Sequence, residues 1–178
     1  MGNWFILHFT ENEGMAFGLS LGGDAGKLLL STFRIIAAII IGIYIYRLTK
    51  KDTPKGLIAS FSLIMAGAIG NILDSAYFGL IFSESSYHTV AVLFPQGGGY
   101  SSFLHGKVVD MLYFPIINTR WPEWVPVWGG QQLVFFRPVF NLADSAITCG
   151  VFSLIIFQKR FYGKKKEDED ASGVEGGD

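Results

Sequence analysis

Three stretches of the chain carry almost no charge: Leu28–Tyr46 (LLLSTFRIIAAIIIGIYIY, broken by Arg34), Gly56–Leu73 (GLIASFSLIMAGAIGNIL, running up to Asp74) and Val139–Phe157 (VFNLADSAITCGVFSLIIF, broken by Asp144). Each has close to the ~20 residues that a helix needs to cross a bilayer core. Charged clusters separate them. This pattern predicts membrane spans at about 28–46, 56–77 and 139–157, in preference to three fully buried helices of a soluble domain.

The basic residues orient the spans. Arg47, Lys50, Lys51 and Lys55 crowd the first link, and Lys159, Arg160 and Lys164–Lys166 follow the third run. Short Lys/Arg-rich links stay cytoplasmic. Residues 1–27 and 78–138 are then extracytoplasmic. An external N-terminus needs something to carry it across, and Met1–Phe9 is too short for a span or a signal peptide with a basic region. The expectation is a further transmembrane helix upstream, with a translocated short tail as the alternative.

Composition adds little to the pattern but agrees with it. Half the residues are hydrophobic and 16% are charged, against about 25% in a soluble domain. The net charge of −1 conceals a tail that contributes −3, which leaves the body at +2. Neither value points to nucleic acid. Residues 1–162 are read as one membrane domain and 163–178 as a disordered, charged cytoplasmic tail that cannot bury enough apolar surface to order itself. The single cysteine, Cys149, excludes an internal disulfide and reads as a packed thiol.

Ionisable groups inside apolar spans are costly and usually functional. Asp144 lies inside the third run with Asn141 three residues before it, and the second run ends with the same spacing, Asn71 and Asp74. Residues three apart share a helix face. The two spans run in opposite directions, so both Asn-x-x-Asp pairs come to the outer membrane surface. Asp110 lies in an external stretch, GKVVDMLYFP, apolar enough to rest there.

Two carboxyls at low dielectric cannot both ionise cheaply, so such a pair holds one proton at neutral pH. The ionised member can take a proton from water and the protonated one can polarise an amide carbonyl. That is aspartic-peptidase chemistry, and no metal or other cofactor is expected. There is no HExxH, the histidines His8, His88 and His105 are scattered, PQGGG (Pro95–Gly99) lacks the rest of a phosphate loop, and no serine sits in a Gly-x-Ser-x-Gly elbow. Spacing alone does not bring Asp110 and Asp144 together. A non-catalytic transporter subunit or assembly factor, its intramembrane Asp and Asn relaying protons, is the competing class. Glu11 and Glu13 read as solvated loop charges, and Trp121, Trp124 and Trp128 as rings at headgroup level.

Four segments, in order, resemble the lipoprotein signal peptidase (signal peptidase II) family: TENEGMAFG (Thr10–Gly18), GNILD (Gly70–Asp74), VVD (Val108–Asp110) and FNLADSAI (Phe140–Ile147). The resemblance runs from about Asn3 to Tyr162. It implies a mainly α membrane fold of four transmembrane helices, of which three are present here, with a small extracytoplasmic β-rich cradle and a periplasmic lid helix. It implies Asp110 and Asp144 as the catalytic dyad, with Asn12, Gly14, Asn71, Asp74 and Asn141 supporting the site or contacting substrate. The implied activity is removal of the signal peptide from diacylglyceryl-modified bacterial prolipoproteins, just before the lipidated cysteine. The implied setting is the plasma (inner) membrane, with the active site on the extracytoplasmic face and the enzyme a monomer. This chain departs from the family pattern in two places. The family's first helix, with its Asp-Gln segment, is absent from the sequence, which makes an inactive truncated copy a further alternative. Ser75 stands where many members have Arg, and Lys107, Arg137 or Arg34 could replace that cation.

Overall fold

The computed structural model describes residues 4–13, 23–86, 88–135 and 138–162. Gly14, Arg137 and the tail from Gly163 lie outside the described residues. The order of elements is β1 (Ile6–Asn12), α1 (Gly23–Thr49), α2 (Lys55–Ile81), β2 (Val108–Tyr113), β3 (Ile117–Arg120), β4 (Gln132–Phe135), β5 (Val139–Phe140) and α3 (Leu142–Ile156).

The chain divides into two compact units. One comprises Leu30–Ile72 with the chain from Ala143 onward, and the other Met1–Leu29 with Leu73–Leu142.

The helical unit is inverted relative to a water-soluble core. Phe33, Ile36, Ile39, Ile40 and Ile43 of α1 are exposed, whereas Ser31, Ser60 and Asn71 are buried. Lipid tails are as apolar as these side chains, so association depends on close packing and interhelical hydrogen bonds instead. α2 and α3 meet through small residues. Ser60 Oγ donates to Ser153 Oγ at 2.8 Å. A methyl on Gly67 would overlap the Ala143 carbonyl oxygen, and one on Gly150 would come 2.6 Å from the Ser60 carbonyl oxygen. Tyr44 of α1 packs edge-on against Phe61 of α2, with ring centroids 4.8 Å apart. Gly67→Val should therefore push α2 and α3 apart and cost at least ~2 kcal/mol. Thermal unfolding in detergent reads this as a large drop in midpoint, while Leu63→Val on the exposed face of α2 stays near wild type.

α1 and α2, 27 residues each, are long and apolar enough to cross a membrane. The third apolar run behaves differently from its expectation as one span over 139–157. Val139 and Phe140 form β5, paired with Tyr113 and Leu112 of β2, and helix begins at Leu142. Apolar β-branched and aromatic residues at the head of a run suit a strand as well as a helix. The 15 residues of α3 rise about 22 Å, less than a ~30 Å core. The Phe157 N–H donates to the Ser153 carbonyl and that of Phe161 to Phe157, so the spiral continues through a further turn at 158–162.

The other unit is built on a three-stranded antiparallel sheet, order β1-β2-β5. Ile6 and Leu7 pair with Tyr113 and Leu112. Thr10, Glu11 and Asn12 then pair with Asp110, Val109 and Val108, so the register shifts by one residue between Leu7 and Thr10. Stacked rings of Phe5, Phe114 and Phe140 (5.0 and 5.8 Å) fix the Ile6 end. β3 and β4 form a separate two-stranded ribbon, with Trp121 and Trp128 stacked at 6.1 Å in its connection.

Residues 82–86 and 88–107 fold back along the end of α2. Main-chain N–H groups of Phe94, Ser101 and Gly106 donate to the carbonyls of Ile81, Gly79 and Ser75; those of Ile81 and Gly79 are among the last four of the helix, which its end would otherwise leave open. Gly106 is required here, because a Cβ would lie 2.7 Å from the Asp74 carbonyl oxygen and the Gly79 nitrogen. A lid helix was implied for this link. The described residues between Ile81 and Leu142 contain strands and turns but no helix, and the proline and glycine of segments such as Pro95–Gly99 explain why.

Candidate active site

β2 carries Asp110 into the protein interior, where the residue is 4% exposed. Both carboxyl oxygens are held. Asn12 Nδ2 of β1 donates to Oδ2 at 3.0 Å, and Asn141 Nδ2 donates to Oδ1 at 2.9 Å. Asn12 lies opposite Val108 in the ladder, so its amide reaches Asp110 along the diagonal available to side chains on one face of a strand pair. Asn141, itself buried, immediately precedes α3 and occupies its N-cap position. Asn is favoured there because its side-chain oxygen can accept from the first helical N–H groups.

In the helical unit, Asn71 of α2 donates through Nδ2 to Asp144 Oδ1 at 3.1 Å. Asn71 is buried, and Asp144 stands in the first turn of α3. A carboxylate is favoured there by the unpaired N–H groups of the helix start. The sequence candidates thus gather in two hydrogen-bonded groups. Asn12, Asp110 and Asn141 form one, and Asn71 and Asp144 the other. Asn141 and Asp144 are three residues apart on the chain. Asp74 is half-buried one turn beyond Asn71. Gly14 lies outside the described residues.

Three expectations change. Glu11 is no solvated loop charge. It takes hydrogen bonds from Ser85 Oγ and Lys107 Nζ, the latter at 2.9 Å, and Glu13 pairs with the buried Lys27. Lys107, a candidate for the cation expected beside Ser75, is engaged with Glu11 and with Glu84 at 3.9 Å. Cys149 is exposed on α3 instead of packed. The Glu11–Lys107 pair was not visible in the sequence, since 96 positions separate the two residues.

Burial alone would raise the Glu11 carboxyl, but the hydrogen bonds from Ser85 and Lys107 and the charge of Lys107 outweigh it and hold it below its ordinary 4.5. The hydrogen bond to Glu11 raises Lys107 above its ordinary 10.5 against the opposing effect of burial, with further help from the charges of Glu11 and Glu84. A lowered carboxyl contributes stability that is complete above its unfolded value and lost as pH falls through its folded one. A raised ammonium contributes stability that is complete below its unfolded value and lost as pH rises through its folded one. The pair's contribution should therefore be flat from about pH 5 to 10 and fade outside that window. The unfolding midpoint of wild type minus that of Lys107→Met, measured across pH, checks this.

Among the described residues, no group of three or more His, Cys, Asp or Glu could hold a metal ion. Each of the two groups sets a carboxyl beside amide donors, and a carboxyl so held can bind a water and exchange a proton with it.

Comparison with known proteins gives the family of the chain. Residues 1–160 match the family described as Signal peptidase (SPase) II. The chain is 50% identical over 161 residues to a lipoprotein signal peptidase of Porphyromonas gingivalis, covering 88% of this chain and 68% of that protein. It is 43% identical to one from Amoebophilus asiaticus, covering 90% of this chain and 63% of that one. A solved structure of a bacterial membrane enzyme, determined by the in meso method, superposes with a TM-score of 0.51 at 25% identity, covering 94% of this chain and 73% of the other. With the two long apolar helices, these matches make the protein membrane-embedded. The chain belongs to the signal peptidase II family.

Proposed function

We propose that this chain removes the signal peptide from diacylglyceryl-modified prolipoproteins by hydrolysis, with Asp110 and Asp144 as the pair that activates water. Family membership supports the peptidase activity. The observation that carries the site is the Asp110 carboxyl, buried with an amide donor on each oxygen. Asn141, one of those donors, stands a single helical turn before Asp144.

In this reading the two carboxyls hold one proton between them. The ionised member takes a proton from water, whose oxygen attacks the scissile carbonyl carbon. The other gives its proton to the carbonyl oxygen, and a tetrahedral diol results. When the C–N bond breaks, a proton passes to the departing nitrogen. The signal peptide leaves with a new carboxyl group and the lipidated cysteine with a new amino group. Asn12, Asn71 and Asn141 keep the acids in place as protonation changes. Gly14 and Asp74 are the remaining residues of the proposed site.

The substrate fits the placement. A diacylglyceryl cysteine holds its scissile bond at the membrane surface. A site at the outer interface then needs little substrate movement, and acyl chains and signal helix supply binding energy. We take residues 1–162 as one peptidase domain, acting as a monomer in the bacterial plasma membrane with its site on the extracytoplasmic face and the three-stranded sheet as its cradle.

The test is cleavage of a prolipoprotein in proteoliposomes. The lipidated substrate should be cut before its cysteine, and the same polypeptide without the diacylglyceryl group should be cut at least ~100-fold more slowly. EDTA should change neither rate. Equal rates for both substrates, or EDTA inhibition reversed by zinc, would overturn the reading.

A further inference from the structure

Between the pairs Leu7↔Leu112 and Thr10↔Asp110, β1 has two residues, His8 and Phe9, where β2 has one, Met111. This is a β-bulge directly beside Asp110. Bulges re-aim neighbouring side chains, and this one decides which face of β1 meets Asp110.

Suppose the ladder ran on unbulged from Leu7↔Leu112. Asn12 would then face Lys107, and Glu11 would face Val108. A one-residue slip moves every side chain of a strand to the other face. Asn12 would leave the face that bears Asp110, and Glu11 would arrive on it. The carboxyl would exchange an amide donor for a neighbouring carboxylate.

Resting on the reading of Asp110 as catalytic, we propose that Lys107 is a positioning residue whose ion pair with Glu11 locks β1 in the bulged register and so keeps the Asn12 amide on Asp110. The pair joins the strands on the face opposite Asn12 and Asp110. Glu11 lies across from Val109 and reaches back to Lys107, while Asn12 lies across from Val108 and reaches forward to Asp110. The two diagonals slant in opposite senses. A two-residue slip that shortens one breaks the other, so both are satisfied together in the observed register.

Lys107 is itself well held. Its main-chain N–H donates to the Tyr100 hydroxyl at 2.6 Å, its ammonium lies 5.4 Å from the Tyr100 ring centre, and Gly106 before it is wedged against α2. Ser85 holds the other Glu11 oxygen. Glu84, Glu13 and Lys27 are the remaining charges acting on this pair. On the far side of the bulge, the Phe5–Phe114–Phe140 stack anchors the other register. The strand is thus pinned on both sides of its irregularity.

The test uses the whole chain in proteoliposomes with a lipidated prolipoprotein. Lys107→Met and Glu11→Gln should each lower kcat by at least ~10-fold, the scale expected when a catalytic group loses its alignment, with KM unchanged within about twofold. Lys107→Arg, and the exchange of charges in Glu11→Lys/Lys107→Glu, should each recover most of that loss. Deleting Phe9 removes the bulge, so Lys107→Met should cost clearly less in that background. Wild-type kcat in Lys107→Met, failure of the charge exchange to recover more than the single variants, or an equal cost with and without Phe9 would each overturn the lock. Asp110→Asn separates the two ideas. If it stays active, the catalytic reading fails. If it is dead while Lys107→Met is fully active, the lock alone fails.

Discussion

Replacing either Asp110 or Asp144 with Asn is expected to lower prolipoprotein cleavage by about 10³-fold or more, while the protein still inserts and folds. The size follows from the role, since general acid and base groups are worth roughly 10²–10⁴ each and one residue here serves as each in turn. The fold should survive because Asn matches Asp in shape. An Asn at 110 accepts one amide through its oxygen and presents an NH₂ to the other, and Asn12 or Asn141 can turn its amide to offer oxygen in return. Asn71 can do the same for position 144. Gel-shift conversion of a lipidated prolipoprotein measures the loss, and thermal unfolding in detergent shows that the protein is intact. Cleavage within tenfold of wild type in either variant would remove the dyad.

Asn141 should show the second-largest effect, because one side chain serves two groups. Its Nδ2 holds Asp110, and it occupies the N-cap position of the helix whose first turn carries Asp144. Asn141→Ala should reduce kcat by about 10²-fold, the scale of a small misplacement of reacting groups. It should also remove the cap, at about 1 kcal/mol. Asn141→Ser separates the roles. Serine caps as well as asparagine but is too short to reach the carboxyl, so stability should stay near wild type while kcat falls nearly as far. Equal losses of stability in the Ser and Ala variants would show that the capping role is misassigned. A normal kcat in both would show that Asp110 needs no help from this residue.

Much of the helical unit was readable from the sequence, because apolar runs of span length have few other uses. Leu28–Tyr46 and Gly56–Leu73 fall inside α1 and α2. Gly67 and Gly70 bring α2 close to Ala143, the approach that small residues in an apolar helix permit. The head of the third run departs from a span because Val139 and Phe140 suit strand and helix alike. Asn141 with Asp144 three residues on is a helix-start pattern that marks the boundary.

The sheet was far less legible. β1 pairs across roughly a hundred positions with β2, and no local period announces such a partner. The same distance hides the Glu11–Lys107 pair, so the sequence alone reads Glu11 as a loop charge. β3 and β4, four residues each, are too short for alternation to stand out beside a Trp- and Pro-rich connection. The candidate residues came from polar groups inside apolar runs and from ordered motifs. Their hydrogen-bond partners became apparent only with the fold.

A structure of the protein in a lipid mesophase, at a resolution that shows bound water, tests the shared-proton pair most directly. The expected result is one water within about 3 Å of a carboxyl oxygen of Asp110 and of Asp144 together. Carboxyls too far apart to touch a common water, in both the free enzyme and its complex with an uncleaved lipopeptide, would contradict it.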